Sequence, residues 1–223
     1  MRVATLLTLF VVPIRASIRL ECDTTVEVSG GKLEIELWPG TAPKGVKRIL
    51  DLAESGFFVN LPFYQAMESW RVMFGIQPNA DKQRMWDQQG DIADDAPPAA
   101  SIPTTEGLVC FSGDPHKGAN SRSTLMFMTL GTTHLQWHRN RPWEVPVGRV
   151  VKGLDVLRGI YTGYSDEPQL RFLDPTNTKR PGGVPDAATY LKQFDKMDKF
   201  HQCRVVRDDA PSSDPAGSGK FEL

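Results

Sequence analysis

Between Gly31 and Gly56 the spacing of apolar positions changes from two residues to three and four. Leu33, Ile35 and Leu37 alternate with Glu34 and Glu36, the pattern of a strand with one face in a core and the other in water. Pro39 and Gly40 break the run. Thr41 is the expected cap of a helix whose first turn holds Pro43, where the missing N–H costs no hydrogen bond. Val46, Ile49, Leu50 and Ala53 then share one helical stripe, and Gly56 ends it.

Downstream the pattern predicts a strand-rich chain. Residues 57–76 read as two strands, 107–111, 125–130 and 146–151 as one each, and 18–28 and 200–206 as strands near the two ends. Residues 153–160 (GLDVLRGI) predict a short helix with Leu154, Leu157 and Ile160 on its inward face. The segment 82–98 is acidic and ends in prolines, which predicts a solvated loop anchored by Trp86. Tyr190, Leu191, Phe194, Met197 and Phe200 predict a helical or turn-like satellite before the last strand. No internal repeat is present, which argues against propellers and solenoids. A mainly β inventory with two helices suits a closed antiparallel barrel capped at its ends.

The two ends differ from this middle. Arg2 gives a positive start, 3–14 is mostly apolar, and Ala16 and Ser17 are small residues suited to cleavage. That is the architecture of a signal peptide, shorter than the ~20 residues of a spanning helix. A buried N-terminal strand is the other reading, and it would call for an alternation that the segment lacks. Residues 208–219 are small, polar and interrupted by prolines, predicting an unordered tail. Lys220, Phe221, Glu222 and Leu223 follow, one residue removed from the Lys-Asp-Glu-Leu retention address. The expected division is therefore a signal peptide at 1–17, one domain at 18–207 and a tail at 208–223. The expected location is the endoplasmic reticulum lumen or the secretory pathway, with no membrane span in the mature form and a retention receptor as partner of the last four residues.

A chain of 223 residues, 40% hydrophobic, is long enough for one domain with its own core. Its 26 basic and 27 acidic residues leave a net charge of −1, which argues against a nucleic-acid partner. The three cysteines are too far apart for a zinc knuckle, and His116, His134, His138 and His201 lack ligand spacing. Asp91, Asp94 and Asp95 do not have the spacing of a calcium-binding loop. No metal and no cofactor is expected. Cys110, inside the apolar run 108–111, is expected to be a buried, inert thiol.

The capped strand–helix opening, followed by Phe57, Phe58, Phe63 and Tyr64, resembles the cyclophilin family of peptidyl-prolyl isomerases. Aligned without a gap from Ile35, the family's glycine–aromatic–aromatic run and the strands after it fall on 56–73. Its T-x-x-x-Q-F/L-F-I motif falls on 121–128 (SRSTLMFM), and its F-G-x-V motif on 147–157 (VGRVVKGLDVL). The resemblance covers 17–207. It implies a closed eight-stranded antiparallel barrel capped by two helices, and proline-containing peptides or unfolded secretory proteins as partners. It also makes the first and last strands neighbours, which implies a disulfide between Cys22 and Cys203, compatible with an oxidising compartment.

The family holds proline in an apolar pocket and aims an arginine at the imide nitrogen, easing a rotation whose barrier is ~18–20 kcal/mol. In the ungapped register Gln65 takes the arginine position and Leu125 that of a glutamine. Met73 replaces a second glutamine, Trp70 keeps an aromatic, and Phe127 matches the pocket floor. The long loop 133–147 adds Leu135, Trp137 and Trp143, either as peptide-contacting walls or as packing against the barrel. A second register, with about six residues inserted after Gly56, makes Arg71 the catalytic arginine; in the first, Arg71 shares a strand face with Met73. Two functions follow from the resemblance. One is an isomerase for secretory proteins with weakened catalysis, a neutral amide donating less strongly than a charged group. The other is a non-catalytic peptide-binding or chaperone module on the same fold.

Overall fold

The computed structural model describes residues 17–99, 101–131, 135, 140–168, 187–208 and 212–215. β1 (Ser17–Thr24) and β2 (Lys32–Leu37) pair antiparallel, with Leu20 opposite Ile35 and Cys22 opposite Leu33. The alternation of β2 buries Leu33, Ile35 and Leu37 as expected, but Glu36 is also buried. Its carboxylate accepts hydrogen bonds from Ser213, through the backbone N–H at 2.6 Å and through the hydroxyl. A buried carboxylate is tolerated when its oxygens are satisfied in this way.

The remaining strands are β3 (Leu61–Pro62), β4 (Gln65–Met67), β5 (Arg71–Phe74), β6 (Leu108–Phe111), β7 (Met126–Thr129), β8 (Gly148–Lys152) and β9 (Lys199–Asp208). They form one curled antiparallel sheet in the order β3-β9-β1-β2-β8-β6-β7-β5-β4. Among the described residues nine strands form an open half-barrel, where a closed eight-stranded barrel was expected. The reason lies at Phe63 and Tyr64, which carry the chain from one sheet edge to the other. A two-residue link can close a hairpin, but β3 pairs with β9 and β4 with β5 instead. The Phe63 N–H donates to Asp198 O at 2.9 Å, and the Ala66 N–H donates to Ser165 O at 3.2 Å, so each edge finds a different partner.

α1 (Pro43–Glu54) lies on the concave side and buries Val46, Ile49, Leu50 and Leu52 against the sheet. Phe58, Phe63, Phe74 and Phe200 fill the same core edge to face, with Phe63 and Phe200 centroids 4.6 Å apart. Thr41 does not cap α1. The cap is Asp95, whose carboxylate accepts from Lys44 N–H at 2.9 Å and Gly45 N–H at 3.0 Å, while Thr41 Oγ donates to Asp214 at 2.6 Å. Asp95 also pairs at 2.8 Å with Arg122, both side chains being at most 1% exposed. The acidic segment is thus no simple solvated loop. Its first part is a helix, α2 (Ala80–Gln89), capped by Asn79, which accepts from the Asp81 and Lys82 N–H groups. Of its ten residues only Gln83 and Trp86 are buried, so no apolar stripe announces it. α3 (Leu154–Gly159) buries Val156 and Leu157, and α4 (Ala187–Leu191) is the satellite. Among the described residues there are therefore four α-helices, where two were expected.

Cys22 and Cys203 are direct partners across β1 and β9, with Cα atoms 4.1 Å apart, and are joined by a disulfide. Cys110 is buried and free. The tail expected to be unordered contributes Asp208 to β9, and Asp214 sits 8% exposed with Gly40 N–H donating to it at 2.5 Å. Of the expected signal peptide at 1–17, residues 1–16 lie outside the described residues and Ser17 begins β1; the retention-like 220–223 also lie outside. Among the described residues no helix is long and apolar enough to cross a membrane.

Candidate functional site

The site is built by register. On β4 and β5, Gln65 faces Met73 and Met67 faces Arg71; on β5 and β7, Met73 faces Phe127 and Arg71 faces Thr129; on β6, Cys110 faces Phe127. Gln65, Met73, Phe127 and Cys110 therefore form one row across four strands, on the face opposite the main core. Ala66, Val72, Met128 and Val109, one residue out of phase, point into that core. Met73, Phe127 and Cys110 of this row are buried in a second apolar cluster with Trp38, Tyr64, Ile76, Ile102, Leu108 and Leu135, against which Leu125, Tyr190 and Leu191 pack, while Gln65 is half-buried. Gly75 ends β5 with φ +111°, and a Cβ there would lie 2.0 Å from Thr124 O, so only glycine lets the chain pass so close to the start of β7.

Phe127 is 1% exposed and Met73 7%. Above them lies the guanidinium of Arg71, its Cζ 5.6 Å from the Phe127 ring centroid and 4.1 Å from that of Trp70. Trp70 is 42% exposed, so the guanidinium bridges the buried floor and the surface. Gln65 holds the strand position expected of it. The cation over this floor comes from Arg71 on β5, on the same strand face as Met73. Burial pushes the Arg71 guanidinium down from its ordinary value, Tyr64 and Glu144 oppose the shift, and Arg141 adds to it. Burial likewise raises the Tyr64 phenol and the Cys110 thiol.

Leu135 joins the cluster at 4% exposure. Trp143 does not. It is buried in a short turn, Pro142–Glu144, and stacks on Gly113, where a Cβ would come within 2.6 Å of the indole. Trp137 lies outside the described residues. Beside the floor, past Gln65 and Leu125, opens a cleft of about 760 Å³ whose walls include Ile76, Ser112, Thr124, Asp87, Asp114 and Asp166. Sequence reasoning missed this cleft, since its carboxylates come from separate segments. Glu144, 4% exposed and 3.2 Å from Arg141 in the same turn, was also missed. Among the described residues no group of three His, Cys, Asp or Glu side chains is placed to hold a metal ion.

An apolar, aromatic floor with a guanidinium over it and an open cleft alongside can hold an apolar ring and place a positive charge beside it. Comparison with known proteins points the same way. Residues 23–179 match the profile described as Cyclophilin type peptidyl-prolyl cis-trans isomerase/CLD. The chain is 29% identical over 153 residues to Peptidyl-prolyl cis-trans isomerase ppi1 of Schizosaccharomyces pombe, covering 66% of this chain and 91% of that protein. It is 26% identical over 187 residues to Peptidyl-prolyl cis-trans isomerase-like 2 of Gibberella zeae, covering 82% of this chain but spanning only 29% of that protein's length. A cyclophilin-type isomerase from Cryptosporidium parvum superposes with a TM-score of 0.54 at 15% identity, covering 85% of this chain and 98% of that one. The Mimivirus cyclophilin gives a TM-score of 0.54 at 15% identity, with 85% and 89% covered. The chain belongs to the cyclophilin-type peptidyl-prolyl cis-trans isomerase family.

Proposed function

We propose that the protein catalyses cis–trans isomerisation of prolyl bonds in proline-containing segments of secretory proteins, with a kcat/KM held below that of an open-pocket relative. The observation that carries this reading is the row Gln65, Met73 and Phe127, which supplies an apolar floor for a prolyl ring next to an open cleft. The weakening follows from closure. With Phe127 1% exposed, a prolyl ring reaches its face only after the covering side chains move, and the apparent affinity falls by the fraction of time the site is open. A prolyl ligand is supported by the Cryptosporidium parvum neighbour, one of whose crystal structures was determined in the presence of the dipeptide Ala-Pro. The secretory setting rests on the Cys22 to Cys203 disulfide and on the leader-like composition of 1–17, with 220–223 as the address for a retention receptor.

The closed floor also favours a second reading, a peptide-binding or chaperone module that has kept the groove without the chemistry. A protease-coupled assay on an Ala-Pro tetrapeptide separates the two. Acceleration above the spontaneous rate that saturates at high substrate is expected. Binding of the tetrapeptide without acceleration would establish the module instead, and absence of both would sink each reading.

A further inference from the structure

We infer that Arg71, delivered from β5, is the catalytic residue that supplies the charged donor for prolyl rotation, in place of the uncharged Gln65 on β4. The inference rests on the isomerase reading and deepens it.

Twisting a prolyl bond removes the nitrogen lone pair from conjugation with the carbonyl, leaving a pyramidal nitrogen with localised electron density. A donor that is fixed beside this nitrogen only in the twisted state lowers the barrier, and a charged donor does so more than a neutral one. The step moves no proton and breaks no bond. It needs a cation beside a ring seated on Phe127.

Three other guanidiniums near the sheet are engaged elsewhere. Arg122 is fully buried and bonded to Asp95, Arg141 is paired with Glu144, and Arg48 lies over Trp86. Arg71 makes no ion pair among the described residues, and its Cζ stands 5.6 Å over Phe127. It is also held from outside, 4.1 Å over the exposed indole of Trp70. A prolyl ring that enters over Phe127 must push the guanidinium off the floor. The indole gives it a surface to rest on at the rim, within reach of the imide nitrogen. Resting Arg71 is thus the roof of the site, and displaced Arg71 is its donor. Gln65 faces Met73 one register row away and lines the cleft, a place suited to holding the substrate backbone.

The test is steady-state isomerisation of the Ala-Pro tetrapeptide by the full chain and by Arg71→Met, Arg71→Lys and Gln65→Ala. Far- and near-ultraviolet circular dichroism serve as the check on folding. Arg71→Met keeps the length and loses the charge, and is expected to lower kcat about a hundredfold or more with KM unchanged or lower, since the roof is gone. Arg71→Lys is expected to fall between, a point charge being unable to reproduce the planar stack; it carries the test if the methionine variant does not fold. Gln65→Ala is expected to raise KM with kcat within threefold. An active wild type whose Arg71→Met form keeps kcat within threefold, or turns over faster, overturns the donor role and leaves the isomerase reading standing. A wild type that gives no acceleration overturns both.

Discussion

The guanidinium of Arg71 lies between two rings, one buried and one exposed, with Phe127 beneath it and Trp70 beside it. Trp70 fixes where the charge rests, so Trp70→Ala is expected to lower kcat by about two- to fivefold, the equivalent of ~0.5–1 kcal/mol of exposed cation–π contact. Trp70→Phe is expected to restore most of the loss. Identical kcat values for wild type and Trp70→Ala would show that the indole does not position the cation.

A second arginine on β4 is expected to add little. Gln65 sits on the strand beside β5, so a guanidinium placed there meets the like charge of Arg71 as well as substrate. Gln65→Arg is expected to change kcat/KM by less than threefold in the wild-type background and to rescue Arg71→Met at least tenfold. A tenfold gain in the wild-type background would mean that Arg71 had not been serving the floor.

Cys110 faces Phe127 from β6 and is fully buried, and burial holds its thiol well above the ordinary value of about 9. The thiol form, favoured in the folded state, contributes stability that is fully present below pH 9 and is lost as pH rises through and beyond that value. Alkylation with iodoacetamide at pH 8 is therefore expected to leave Cys110 unmodified in native protein and to proceed in denaturant. Rapid native labelling would show that the floor opens far more often than its burial indicates.

The disulfide closes a loop of 181 residues between the first and last strands, which on chain-entropy reasoning is worth up to about 5 kcal/mol. Cys203→Ser is expected to cost about 2–5 kcal/mol, read as a fall of some 5–15 °C in Tm. Equal Tm values for the oxidised wild type and Cys203→Ser would remove the disulfide from any account of stability.

What the chain reveals by itself follows from how local each signal is. The alternation of Leu33, Ile35 and Leu37 and the Pro43 helix start depend on neighbours in sequence, and they read correctly. The partners of α1 do not. Asp95 caps it from fifty residues away, so a Thr at the right offset looked sufficient. α2 escaped notice because its stability comes from Asn79 and from Trp86 under Arg48, rather than from an apolar stripe. The open sheet edges were hidden too, since nothing in Phe63 and Tyr64 says that β3 and β4 take partners at Asp198 and Ser165. At the site, motif spacing placed Gln65, Met73 and Phe127 in one register. It could not place a flexible guanidinium, because a strand position fixes a Cβ direction while four further bonds decide where the charge ends.

The account stands on a prolyl ring seating against Phe127, and two-dimensional exchange spectroscopy of the Ala-Pro tetrapeptide with the labelled full chain observes this directly. Exchange peaks between cis and trans forms are expected, faster than without protein, together with nuclear Overhauser contacts from the prolyl ring to the Phe127 ring. Accelerated exchange with contacts to other residues only, or no acceleration at all, would contradict it.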